Sequence, residues 1–290
     1  MEMQMNRKNR NSNGQLWEFF LITFGFSWVC WLPGLLLTYG LLSPNTPIST
    51  AASILQWVGG IGPSVTALVL IYRETGKAGL KHLFSRAVKF NLGVWYLPTF
   101  LILPLVVILA HVLNGCLFEA PFPSTDILSE PWWIPALLAV FLILQLGEEP
   151  GWRGYALDRL QGKWGALSSS LLLGSIWAFW HIPMFLSSGF GQHDNQLPYG
   201  QFFITIVLVS ILITWLQNNT GGSLVPAFVT HALFALTGEV LPLIEKNPVG
   251  PSDHTAWIIT NILLFITVAL VIAVWGRKRL AKENMIAIPI

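Results

Sequence analysis

Charge is the first thing this chain lacks: only 10% of its 290 residues are Asp, Glu, Lys or Arg, against about 25% in an ordinary soluble domain. That scarcity excludes a soluble globular protein. Cysteine is scarce too. Cys30 sits in an apolar run and Cys116 in a loop, which argues against a disulfide framework and offers no metal-site spacing. There is no Gly-x-Ser-x-Gly nucleophile elbow, and neither His-Glu-x-x-His nor His-x-x-Glu-His occurs. No internal repeat stands out, which disfavours the inverted-repeat transporters, and nothing points to nucleic acid.

What the chain has in quantity is apolar surface, 53% hydrophobic residues with 14 Trp and 18 Phe. About 20 apolar residues cross a bilayer as a helix. The pattern predicts an all-α integral membrane protein, a bundle of about eight transmembrane helices near 16–42, 51–72, 93–113, 132–150, 168–188, 200–217, 223–238 and 255–275. A tail at 1–15 would precede this membrane domain of 16–275, and a tail at 276–290 would follow it. Arg7, Lys8 and Arg10 resemble the basic start of a signal peptide, but the run from Leu16 to Leu42 far exceeds a signal core of about 7–15 residues, so it reads as an uncleaved first span.

Charge then orients the bundle. With both termini cytoplasmic, every Lys and Arg except Lys246 falls on the inner side, including Arg153, Arg159 and Lys163. Glu119, Asp126, Glu130 and Asp194 fall outside, and Trp17, Trp132, Trp133 and Trp257 lie where an interfacial aromatic belt would be. Between spans two and three, Leu80, Leu83, Phe84 and Val88 alternate with basic residues at helical spacing, which predicts an amphipathic helix on the inner leaflet. Gln161 to Gly165 reads as a short turn.

Against this background the few ionisable groups inside apolar runs stand out, because each costs several kcal/mol unless paired or watered. Glu148 and Glu149 close the fourth span, with Arg153 four residues after Glu149 on the same helical face. A Glu149–Arg153 pair would leave Glu148 free for chemistry. Pro150, if helical, would remove a backbone donor and bend the axis just past the acids. His181 lies in the fifth span and His231 in the seventh, while His111 sits near the outer end of the third. Pro183 should open the helix beside His181; Trp177, one turn before it, reads as packing. Ala227 and Ala235 flank His231 and would let a neighbouring helix approach.

Two buried imidazoles and a free carboxylate on three helices require a shared polar cavity. Converging on one water they make a general base with an oxyanion partner. The same three side chains equally suit a zinc ion with one open position. A proton relay would use the same groups, although the absence of repeats speaks against a transporter.

Glu148-Glu149-Pro-Gly-Trp-Arg153-Gly-Tyr-Ala-Leu resembles the Glu-Glu-x-x-x-Arg motif of the CAAX-protease and bacteriocin-processing (CPBP) family of intramembrane proteases. That family includes type II CAAX prenyl endopeptidases and bacterial abortive-infection and bacteriocin-immunity proteins. Its second motif, Phe-x-x-x-His, is matched by Trp177-Ala-Phe-Trp-His181 with Trp in the leading place. Its third, His-x-x-x-Asn, is matched by His231-Ala-Leu-Phe-Ala235 without the Asn. The resemblance covers about 130–240.

It implies that Glu148 activates water with help from His181, that Glu149 and Arg153 orient the site, and that His231 stabilises the oxyanion. It leaves open a metalloprotease, with Glu148, His181 and His231 as zinc ligands, or a metal-free glutamate protease. Gln145 or Asn261, both within apolar spans, are candidates for the missing amide. From Trp132 to Glu148 a helix rises roughly 24 Å, which places the acids in the inner part of the bilayer. The expected activity is hydrolysis of a peptide bond in a membrane-associated peptide or protein, in a bacterial plasma membrane; the alternative is a non-catalytic binding, immunity or scaffold protein of the same fold.

Overall fold

The computed structural model describes the backbone of residues 2–244 and 253–282, with side chains from residue 14 onward. Lys246, the side chains of Arg7, Lys8 and Arg10, and the end of the tail at 283–290 lie outside the described residues. Among the described residues every regular element is a helix. The protein is an all-α integral membrane protein.

The main helices are α1 (Glu2–Thr38), α2 (Pro47–Gly60), α3 (Gly62–Ala87), α4 (Tyr96–Phe118), α5 (Ile134–Gly151), α6 (Leu157–Trp164), α7 (Ala166–Trp180), α8 (Ile182–Leu186), α9 (Tyr199–Asn219), α10 (Val225–Val240) and α11 (Thr255–Trp275). Among the described residues six apolar spans are each long enough to cross a bilayer. The second expected span is a bent pair, α2 and α3 meeting at 53°. The seventh is α10, whose 16 residues reach only about 24 Å. It packs against α4, α5 and α9, so its neighbours cover what a longer helix would cover itself. The segment read as an N-terminal tail continues helically into the first span, because α1 begins at Glu2.

Close backbone approach decides where α5 sits. A Cβ on Gly147 would lie 3.0 Å from Ile61 Cγ2, and one on Gly151 would lie 2.4 Å from the carbonyl carbon of Pro63. These two glycines, four apart on one face, let α5 lie directly against the α2–α3 corner. The Ser64 hydroxyl donates to the Leu146 carbonyl (2.9 Å) across the same contact. Pro150 then lies inside the helix, and residues Trp152–Ala156 follow as a π-helical turn. A π turn adds a residue to the helix and is a common way to absorb a proline's missing donor.

One end of the bundle is tied by ion pairs. Glu74 of α3 pairs with Arg159 and accepts from the Tyr155 hydroxyl (2.5 Å), and Arg86 pairs with Asp158. The expected amphipathic helix is the second half of α3, entered through a kink at Gly76 (φ 64°). Leu83 faces inward, while Phe84 and Val88 are exposed.

Three expectations need correction. Gln161 to Gly165 is no turn: α6 runs to Trp164 and the chain reverses at Gly165 alone. Gly165 has φ 72°, and a Cβ there would meet the Lys278 carbonyl oxygen at 2.9 Å, so a single glycine does the work of a loop. Trp257 leaves the aromatic belt because its indole donates to the Thr205 hydroxyl inside the bundle (2.7 Å). Arg153, counted with the cytoplasmic charges, is completely buried.

Candidate active site

Glu148, Glu149, Arg153, His181 and His231 meet around Trp177 inside the bundle. Glu149, at the end of α5, is fully buried. Its Oε1 accepts from Arg153 Nη1 (2.8 Å) and from His231 Nδ1 on α10 (2.8 Å). The i, i+4 pair therefore forms even though Arg153 lies in the π turn. Arg153 is held further by its own main chain, whose carbonyl accepts from Gln217 on α9 (3.2 Å).

Glu148 points elsewhere. It is half-buried, and its Oε2 accepts from the indole Nε1 of Trp177 on α7 (2.8 Å). No other hydrogen bond is made by its carboxyl group among the described residues. His181 caps the end of α7, where the helix breaks before Pro183 as expected. Its Nδ1 bonds the Trp177 carbonyl (2.8 Å), and its ring packs edge-on against Trp180 and Phe202.

Tautomers follow from these partners. A carbonyl only accepts, so His181 Nδ1 carries the proton and Nε2 is left with a lone pair. An ionised Glu149 likewise requires a proton on His231 Nδ1. Glu148 Oε1, His181 Nε2 and His231 Nε2 are among the polar atoms of the site with no hydrogen bond to the protein among the described residues.

Trp177 was read as packing, and that reading is incomplete. It is fully buried and touches four of the five predicted residues. It donates to Glu148, accepts from His181 through its carbonyl, stacks edge-on with His231 (4.8 Å between centroids) and lies under the Arg153 guanidinium (4.3 Å). The available signal was its position one turn before His181, combined with the one aromatic side chain that carries an N–H.

The suggested substitutes for the missing amide fare differently. Asn261 is spent elsewhere, donating to the Gln201 side chain (2.8 Å) and accepting from Thr205 (2.7 Å). Gln145 is buried one turn before the acids, and its side-chain oxygen has no hydrogen-bond partner among the described residues. His111 bonds the Leu241 carbonyl (3.4 Å), away from the cluster.

The zinc arrangement does not fit these side chains. Among the described residues no three His, Cys, Asp or Glu groups converge closely enough to hold a metal ion. Of the three side chains that would hold zinc, Glu148 already has one oxygen engaged by an indole.

A polytopic helical protein with carboxylates and imidazoles gathered from three helices into its interior is the class that fold and site define. Residues 130–237, which contain the whole cluster, match the family model of the type II CAAX prenyl endopeptidases, Rce1-like. A relative described as CAAX prenyl protease 2 from Methanococcus maripaludis is 27% identical over 271 residues, covering 88% of this chain and 92% of the relative. The chain is therefore similar to the Rce1-like endopeptidases over the segment that holds the cluster, and its similarity to the Methanococcus relative runs along most of its length.

Proposed function

We propose that this protein is an intramembrane endopeptidase that hydrolyses a peptide bond in a membrane-associated protein or peptide, with both termini cytoplasmic in a plasma membrane. The observation that carries the proposal is the division of labour between adjacent acids. Glu149 is consumed by Arg153 and His231, while Glu148 is half-buried with one oxygen unbonded. A carboxylate so placed is a general base for water.

In this mechanism Glu148 takes a proton from water through Oε1 as the water oxygen attacks the scissile carbonyl carbon. His181, neutral with its proton on Nδ1, accepts the second water hydrogen at Nε2 and fixes the direction of attack. The oxyanion needs a donor. For His231 to supply one from Nε2 its ring must carry both protons, and Glu149 balances the charge it then holds. Glu148 finally returns its proton to the leaving amine as the carbon–nitrogen bond breaks. Every group required is on the chain, and we assign the activity to a metal-free site.

The name of the Methanococcus relative supplies the substrate class to try first, a prenylated CAAX peptide. The purified protein in lipid vesicles is incubated with such a peptide, and the products are read by mass spectrometry with and without a zinc chelator. Chelator-resistant cleavage by wild type and none by Glu148→Gln is the expected result. Equal activity in the two proteins would overturn the role of Glu148. Cleavage of neither this peptide nor any cellular membrane peptide, by a folded protein, would transfer the case to the non-catalytic reading.

A further inference from the structure

Among the described residues Glu148 hangs from a single donor, and that donor is not one of the titratable residues of the cluster. We propose that Trp177 is the positioning residue of this site: its indole N–H fixes the Glu148 carboxylate so that Oε1, and not Oε2, carries the proton taken from water. This rests on the endopeptidase reading for its catalytic consequence but not for its geometry.

The argument begins with what an indole can do. Its N–H donates and never accepts. A proton placed on Glu148 Oε2 would face another proton and forfeit the 2.8 Å bond, whereas a proton on Oε1 leaves it intact. The donor thus sorts two chemically equivalent oxygens into an anchor and a working atom. It also favours the ionised carboxylate, because a bond to a charged acceptor is stronger than one to the neutral acid.

Trp177 is itself held on every side. It is fully buried, its carbonyl bonds His181 Nδ1, and its ring edge meets His231. The Arg153 guanidinium lies 4.3 Å from the ring centroid, a cation–π distance. A cation over the face draws electron density from the ring and strengthens the N–H as a donor. The Glu149–Arg153 pair therefore reaches Glu148 through the indole, without any hydrogen bond between the two acids. Phenylalanine would fill most of the same space and lack the one atom that matters.

The test replaces that atom alone. Trp177→3-benzothienylalanine keeps the bicyclic ring and exchanges N–H for sulfur; Trp177→Phe is the natural counterpart. With a cleaved peptide in hand, kcat should fall about ten-fold or more while KM stays within a factor of two, as befits loss of one bond to a charged group. The acid limb of the pH–rate profile should move up by about one to two pH units. A packing role alone predicts wild-type kcat and an unmoved profile for the isostere, and that result would overturn the proposal. Infrared difference spectra against Glu148→Gln follow the same carboxylate without any substrate. A shifted band and titration in the isostere would uphold the anchor even if no peptide were ever cleaved, whereas identical spectra would sink it.

Discussion

Two buried polar clusters sit in this bundle, and they are built on opposite principles. One joins Gln201 and Thr205 of α9 to Trp257 and Asn261 of α11. There the Trp257 indole and the Asn261 amide both find acceptors, and no buried polar side-chain atom of Thr205, Trp257 or Asn261 is left unpaired. The other holds Glu148, Glu149, Arg153, Trp177, His181 and His231. In it Glu149 Oε2 and Arg153 Nε and Nη2 are buried without a partner among the described residues, as is Gln145 Oε1 nearby. A saturated cluster is glue between two helices. An unsaturated one keeps donors and acceptors in reserve at a cost in stability, which a fold tolerates where a ligand or reacting group will use them.

That contrast can be broken most sharply at Glu148. Glu148→Gln keeps the shape and should lower peptide cleavage by about 10²–10⁴-fold, the usual worth of a general base, while thermal unfolding in detergent stays near wild type. Loss of folding together with activity would put Glu148 in the structural class. Next comes Arg153→Leu, which strands Glu149 and His231; breaking a buried pair costs about 3–5 kcal/mol, visible as a large drop in unfolding temperature. If the variant were as stable as wild type, the pair would be ornamental.

Asn261→Leu sharpens the comparison from the other side. It should destabilise by only about 0.6–1.7 kcal/mol, the range for interhelical bonds in membranes, and leave kcat untouched. A fall in kcat would return Asn261 to the list of candidate oxyanion donors. The smallest effect is expected outside the bundle, at Asp253 before α11. Hydrogen bonds from the Thr255 hydroxyl (2.6 Å) and main chain (2.9 Å) hold this carboxyl below the usual carboxylate range. A depressed value adds stability above the ordinary value near 3.9 and loses it as pH falls through the folded one. Asp253→Asn should therefore cost a few tenths of a kcal/mol at pH 7 and nothing at pH 2, measured by unfolding at both; exposure screens the rest.

Much of this was legible in the residues. Hydropathy marked the six long spans among the described residues, because a helix in lipid must be apolar along its whole length and the requirement is local. The rarity of charge in apolar runs marked Glu148, Glu149, Arg153, His181 and His231 for the same reason. Pro183 signalled the break at His181, since a missing donor is a property of one residue. What misled was any inference that depended on a partner. Arg153 counts as a loop charge by its place in the chain, yet it is buried because Glu149 lies one turn back and Trp177 beneath it. Asn261 and His231 look alike as polar residues in apolar spans. Only the packing of α11 on α9, and of α10 on α5, sends one to a saturated cluster and the other to the acids.

The sequence by itself therefore determined the class of protein, the long spans and the ionisable residues within them, because burial in a membrane selects residue types one at a time. The tertiary structure alone decided which acid is tied and which is free, which imidazole nitrogen carries the proton, and that an indole anchors Glu148. Those are relations between helices brought together by Gly147 and Gly151 against the α2–α3 corner. A hydrogen bond of 2.8 Å between residues 29 positions apart leaves no trace in the periodicity of either helix.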